Sequence, residues 1–206
     1  RRQRQMCIRD REDLLIAVCT ELTTTRREYF EKVAHSDLSS RDKMLGFSLA
    51  YSLFAQHYPE HFRLEQYIMT EVVWLASSPS RREQFLTATQ PIGRMVEQVV
   101  RDAIGNNELE DHGQDPLTFS IGQWSMAMGM HTLIHADGIL DMYDLKDPHR
   151  LLLRNVQLQL NAMQWQPLDD SPFDDGALSS KVTSLCDYLF ADLCKEKGSC
   201  LKLGSA

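Results

Sequence analysis

Residues 116–136 read PLTFSIGQWSMAMGMHTLIHA, and their spacing decides the fold class. Apolar or small residues return after three, four and seven positions, which is the interval of an α-helix, and nothing alternates with the period of a strand. Asp115-Pro116 opens the segment with an N-cap and a proline at the first helical position, where a missing N–H is harmless. Two stripes run along this helix. One holds Ile121, Trp124, Met128 and His131; the other holds Gly122, Met126, Gly129, Leu133 and Ala136 and is made largely of small residues. A surface helix buries one stripe against its own chain, so a second stripe predicts a second partner.

The next segment, residues 148–164, PHRLLLRNVQLQLNAMQ, repeats the Asp-Pro opening at Asp147-Pro148 and places Leu153, Val156, Leu160 and Met163 at 3-4-3 spacing. Two such helices from each of two chains form a four-helix contact, which predicts a homodimer. The predicted interface comprises Gly122, Met126, Gly129, Leu133, Leu153, Val156, Leu160 and Met163. Periodicity alone also fits both stripes being interior to a single chain.

Working outward, residues 10–34 form a helix with Leu15, Val18, Leu22 and Tyr29 on one face. Ser39 with Asp42 resembles a capping box, and the helix it starts carries the stripe Met44, Phe47, Tyr51, Phe54 and Tyr58. Pro59 ends that helix and opens another reaching Ser77. Ser80 with Glu83 caps a fourth over 81–104, whose face is Phe85, Ala88, Ile92, Met95 and Val99; Pro91 and Gly93 predict a kink with a cavity beside it. A polar connection over 166–176 leads to a last amphipathic helix over 178–195. The fold class read from this pattern is all-α, a helical bundle.

With 206 residues, 43% of them apolar and 25% charged, the chain has the composition of a folded domain, not of a disordered or collagen-like one. No apolar run approaches the ~20 residues a bilayer helix needs, and the first thirty residues show no secretory signal, so the expectation is a cytoplasmic protein without membrane contact. The five cysteines, Cys7, Cys19, Cys186, Cys194 and Cys200, form no C-x-x-C pair and are expected to be reduced thiols. The net charge of −7 argues against a basic nucleic-acid binder, although Arg1, Arg2, Arg4, Arg9 and Arg11 crowd the N-terminal end.

Chemistry-bearing patterns are weak. His57 to His61 fits H-x-x-E-H, but Pro59 puts a helix boundary between the two histidines; His131 and His135 are an i,i+4 pair on an apolar face. Gly46 to Ala50 approaches a nucleophile elbow inside a helix, where that strained turn does not occur. No catalytic residue, metal site or cofactor is expected. What stands out is a supply of soft and flat side chains on inner faces: Phe54, Tyr58, Phe62, Tyr67, Trp74, Phe85, Met95, Trp124 and Met128. They are the predicted lining for a small hydrophobic ligand.

Arg11-Glu12-Asp13-Leu14-Leu15-Ile16-Ala17-Val18, Tyr58-Pro59-Glu60-His61-Phe62-Arg63-Leu64, Trp124 to Gly129, and Leu160 to Leu168 with Gln164-Trp165-Gln166-Pro167-Leu168 at its end, taken in this order, resemble the effector-binding and dimerisation domain of TetR-type transcriptional regulators. The likeness covers residues 11–168, and residues 169–206 resemble an acidic connection and extra C-terminal helix found in some members. The resemblance implies a homodimeric repressor, released from operator DNA when a small apolar effector binds. It also implies a helix-turn-helix unit ahead of the first helix. Residues 1–10 are too few for one, which points to a truncated or chimeric gene end, and no DNA-contacting residue carries over. A stand-alone helical dimerisation module without DNA binding, forming mixed dimers with a complete relative, is the alternative.

Overall fold

The computed structural model describes the backbone of residues 2–201 and 203, and the side chains of 10–201 and 203. The basic side chains Arg1, Arg2, Arg4 and Arg9, and Cys7, lie outside the described residues. Everything regular among the described residues is helical: α1 (Arg2–Ala34), α2 (Ser40–His57), α3 (Pro59–Ile68), α4 (Glu71–Ala76), α5 (Pro79–Gly105), α6 (Thr118–His135), α7 (Ile139–Met142), α8 (Pro148–Ala162), α9 (Asp175–Leu189) and α10 (Ala191–Lys197).

α2 is the axis of the bundle. Every residue over 44–55 is buried, so the helix has no solvent face; α1, α3, α5, α6 and α8 surround it. Gly46 permits one close approach, because a Cβ there would lie 2.9 Å from Val33 Cγ1. The start of α2 is fixed by its cap, with Ser39 Oγ accepting from Asp42 N at 3.1 Å.

Directly after the cap, Arg41 is 1% exposed. Its guanidinium donates to the Trp165 carbonyl at 2.7 Å, to the Gln157 carbonyl and Oε1 at 3.2 and 2.9 Å, and to Asn161 Oδ1 at 2.8 Å. These acceptors are neutral, and burial pulls the Arg41 guanidinium below its usual range. Trp165, also fully buried, donates from Nε1 to Ser40 Oγ at 2.7 Å, and Ser40 in turn donates to Glu108. This knot joins the start of α2, the end of α8 and the loop after α5.

Several boundaries differ from the sequence expectation. α1 buries Glu12, Ile16, Cys19, Thr23, Arg26, Phe30 and Val33 at strict 4-3 spacing and leaves Val18 exposed. The stripe is rotated because polar residues with internal partners sit on the inner face. Ser78, not Ser80, caps α5: its Oγ accepts from Arg81 N, and Pro79 takes the first helical position. The helix expected through Ser77 breaks at Thr70 into α3 and α4. The last helix divides at Phe190, which is fully buried. Gly198, at φ +67, then turns the chain back. That turn brings Cys200 onto Cys194 in a disulfide, correcting the expectation of five reduced thiols; Cys19 and Cys186 are free and buried. No helix among the described residues is long and apolar enough to cross a membrane.

Replacing Arg41 by Ala strands its buried carbonyl acceptors without donors. The loss expected in urea unfolding is about 3 kcal/mol. A variant within 0.5 kcal/mol of wild type, roughly the scatter of a surface substitution, would show that the knot is not structural.

Candidate functional site

The kink-prone part of α5 faces a cavity of about 340 Å³ walled by α1, α2, α3, α5 and α6. Phe30, Phe47, Phe85, Ile92 and Val96 supply apolar walls. Gly93 also lines it, and a Cβ built there meets no atom within 4 Å. Leu117, Ile121 and Trp124 of the α6 region edge the enclosure and are 41–50% exposed, so they form its rim.

One end is polar. Arg26 from α1 and Glu65 from α3 form a buried ion pair, and Ser48, Tyr51 and Gln123 lie with them along the wall. Burial holds the Arg26 guanidinium below its usual range. Burial also pushes the Tyr51 phenol up to about 12, against the opposing pull of Arg26 and of a Trp124 hydrogen bond. Tyr51 donates to Met128 Sδ. Two donors of these lining residues, Gln123 Nε2 and Arg26 Nε, have no partner in the protein.

Of the nine side chains expected to line a pocket, Phe85 and Trp124 line this cavity. Met128 reaches it only through Tyr51. Phe54 and Tyr58 instead join Tyr29 and Phe190 in an aromatic cluster that locks the C-terminal helices onto α1 and α2. Phe62 packs between Tyr51 and His131, with ring centroids 5.1 and 4.9 Å away. Trp74 stands edge-on to Phe85 and borders a separate shallow cleft along α5. Tyr67 is exposed, and Met95 packs on the main core. The polar residues Arg26, Ser48, Glu65 and Gln123 escaped an apolar-stripe reading, and no signal in the periodicity marked them.

The predicted dimer stripe also divides. Leu153, Val156 and Leu160 are fully buried within the single chain, packed by α8 against α2 and α6, so they have no area left for a partner. Met126 and Met163 pack partly on the same core, and Gly122 backs onto Gln159, whose Nε2 would lie 2.3 Å from an added Cβ. Gly129 and Leu133 do face outward.

No histidine lines the cavity. His131, 1% exposed, lies 3.3 Å from Ser52 Oγ, with its ring tilted against that of His149 at 5.5 Å and that of His135 at 6.3 Å. Burial, then His149 and His135, push His131 down to about 3; His149 and His135 are also lowered, chiefly by burial. His57 is held between the Tyr29 hydroxyl at 2.8 Å and the Ser199 carbonyl at 2.9 Å, while His61 stacks on Tyr58. Among the described residues no group of three or more His, Cys, Asp or Glu side chains is arranged to hold a metal ion. The Cys19 thiol is pushed up to about 12 and that of Cys186 to about 11 by burial, so neither is a thiolate nucleophile at neutral pH.

Because His131 binds its proton at about 3 when folded and near 6.5 when unfolded, the unfolded state takes up more protons between these values. Stability is therefore complete above pH 6.5 and falls as pH drops through that window. From about pH 7 to pH 5 the expected loss from this one group is about 2 kcal/mol, read by urea unfolding at each pH. His131→Gln flattens the dependence by that amount; identical pH profiles for the two proteins would contradict the assignment. Compared with known proteins, the chain matches no family model, no curated protein and no solved structure.

Proposed function

We propose that this chain is the effector-sensing and dimerising part of a TetR-type DNA-binding transcriptional regulator, a repressor whose trigger is a small, largely apolar molecule. The observation that carries the reading is one enclosure of about 340 Å³ walled by both α1 and α6, a volume suited to a small ligand. A molecule inside it touches Phe30 on α1 and Trp124 on α6 together. α1 is the lever: it packs against α5 over much of its length, and Asp13 Oδ1 accepts from Ser78 N at 2.6 Å at the start of that helix. The resemblance puts a DNA-reading unit ahead of α1. An effector that prefers one disposition of α1 shifts the population of that unit's arrangements, and operator DNA weakens effector binding by the same factor, typically 1–3 kcal/mol of coupling.

The second copy packs on the outer face of α6, where Ile121, Gly129 and Leu133 are exposed, and on the adjoining α7, where Met142 and Tyr143 are exposed. Such patches on a small domain are typical of association surfaces.

Butylbenzene at saturation should raise the melting temperature of the wild-type protein by several degrees. Gly93→Leu extends a side chain into the cavity and should abolish that rise while leaving the helical circular-dichroism spectrum unchanged. No rise in wild type, or an equal rise in the variant, would contradict the cavity reading. By light scattering the wild type should have twice the chain mass, and Gly129→Arg should have the chain mass alone, because open space at Gly129 lets the fold accept the substitution. A monomeric wild type would remove the dimer from the proposal.

A further inference from the structure

The effector reading leaves the chemistry of the ligand open, and the polar lining of the cavity narrows it. Gln123 is 4% exposed and lines the enclosure, and its Nε2 has no partner in the protein. Arg26, 5% exposed, lines the same cavity and leaves its Nε unpartnered. A buried donor without an acceptor is unfavourable, and a ligand that supplies an acceptor gains what the free protein lacks. Both groups are N–H donors, so the complement is an oxygen that accepts.

Charge decides which oxygen. The one full positive charge on this wall, Arg26, is already matched by Glu65 in a buried pair. A carboxylate would add an unmatched negative charge beside Glu65 and among Phe30, Phe47 and Phe85, where its desolvation is not repaid. An ammonium would face Arg26. Resting on the effector reading above, we infer that the cavity takes an uncharged molecule with an apolar body and a carbonyl oxygen, a ketone, ester or amide, which accepts from Gln123 Nε2. The apolar body lies along Ile92, Gly93 and Val96.

Three probes of similar size separate the terms by isothermal titration calorimetry: butylbenzene, butyrophenone, which has the same carbon skeleton with a carbonyl added, and the anion para-propylbenzoate. Butyrophenone should bind about tenfold more tightly than butylbenzene, the effect of one otherwise unmade hydrogen bond, and the anion should bind most weakly. In Gln123→Met, which keeps the length of the side chain and removes its N–H, the ketone should lose its advantage while butylbenzene binds as well as before. The variant should melt at or above wild type, since it removes a stranded donor. In wild type alone, the infrared carbonyl stretch of bound butyrophenone should lie below its value in hexane. Equal affinity of ketone and hydrocarbon, a ketone advantage that survives Gln123→Met, a hexane-like stretch, or tightest binding of the anion would each overturn the inference and leave the cavity reading standing. Failure of butylbenzene and butyrophenone alike to bind up to their solubility would overturn both.

Discussion

Arg41 places a guanidinium where water does not reach, and the chain answers it with the carbonyl and amide oxygens of Gln157, Asn161 and Trp165. Much of the architecture follows from the hydrogen bonds of its two terminal nitrogens; Nε is left without a partner. Its acceptors stand at the end of α8 and just beyond, so α8 is drawn against the start of α2, and Trp165 closes the remaining space by donating to Ser40. With its first turn anchored, α2 runs through the middle with no solvent face. Five helices must then pack around it, and they do not fill the space completely where α5 contains Pro91. The cavity is what that packing leaves.

The all-helical class and most helices were legible because the signals are local: Asp147 caps α8 by accepting from Arg150 N at 2.9 Å, and Ser39 caps α2. The stripe on α5 was legible for the same reason, and the cavity lies beside Ile92, where the proline suggested it. The inner face of α1 was not. Leu14 and Val18 are apolar and exposed, whereas Glu12, Thr23 and Arg26 are polar and buried, and their burial depends on partners far away in sequence, such as Glu65. Single-helix periodicity carries no information about such partners. The same limit explains Leu153, Val156 and Leu160: an apolar stripe says that something covers it, and here the cover is the chain's own α2 and α6.

Two further polar clusters of the interior are of different kinds. The histidines around His131 are kept neutral by burial and pack as flat, weakly polar rings against Phe62 and Tyr51. At the cavity end, by contrast, Arg26 and Glu65 cancel one another, and the Gln123 amide is left with a donor to spare. A packed core has no use for that donor. The α5 lining is mainly apolar, and the charged and amide lining comes from α1, α3 and α6.

The central claim is that a real, apolar, accessible space lies between α1, α2, α5 and α6. A crystal structure of the protein under xenon pressure tests it directly, since xenon enters apolar cavities and leaves polar, hydrated clefts empty. Xenon density enclosed by Phe47, Phe85, Ile92 and Val96 is the expected result. A crystal in which side chains fill that space and xenon binds elsewhere, or nowhere, would contradict it.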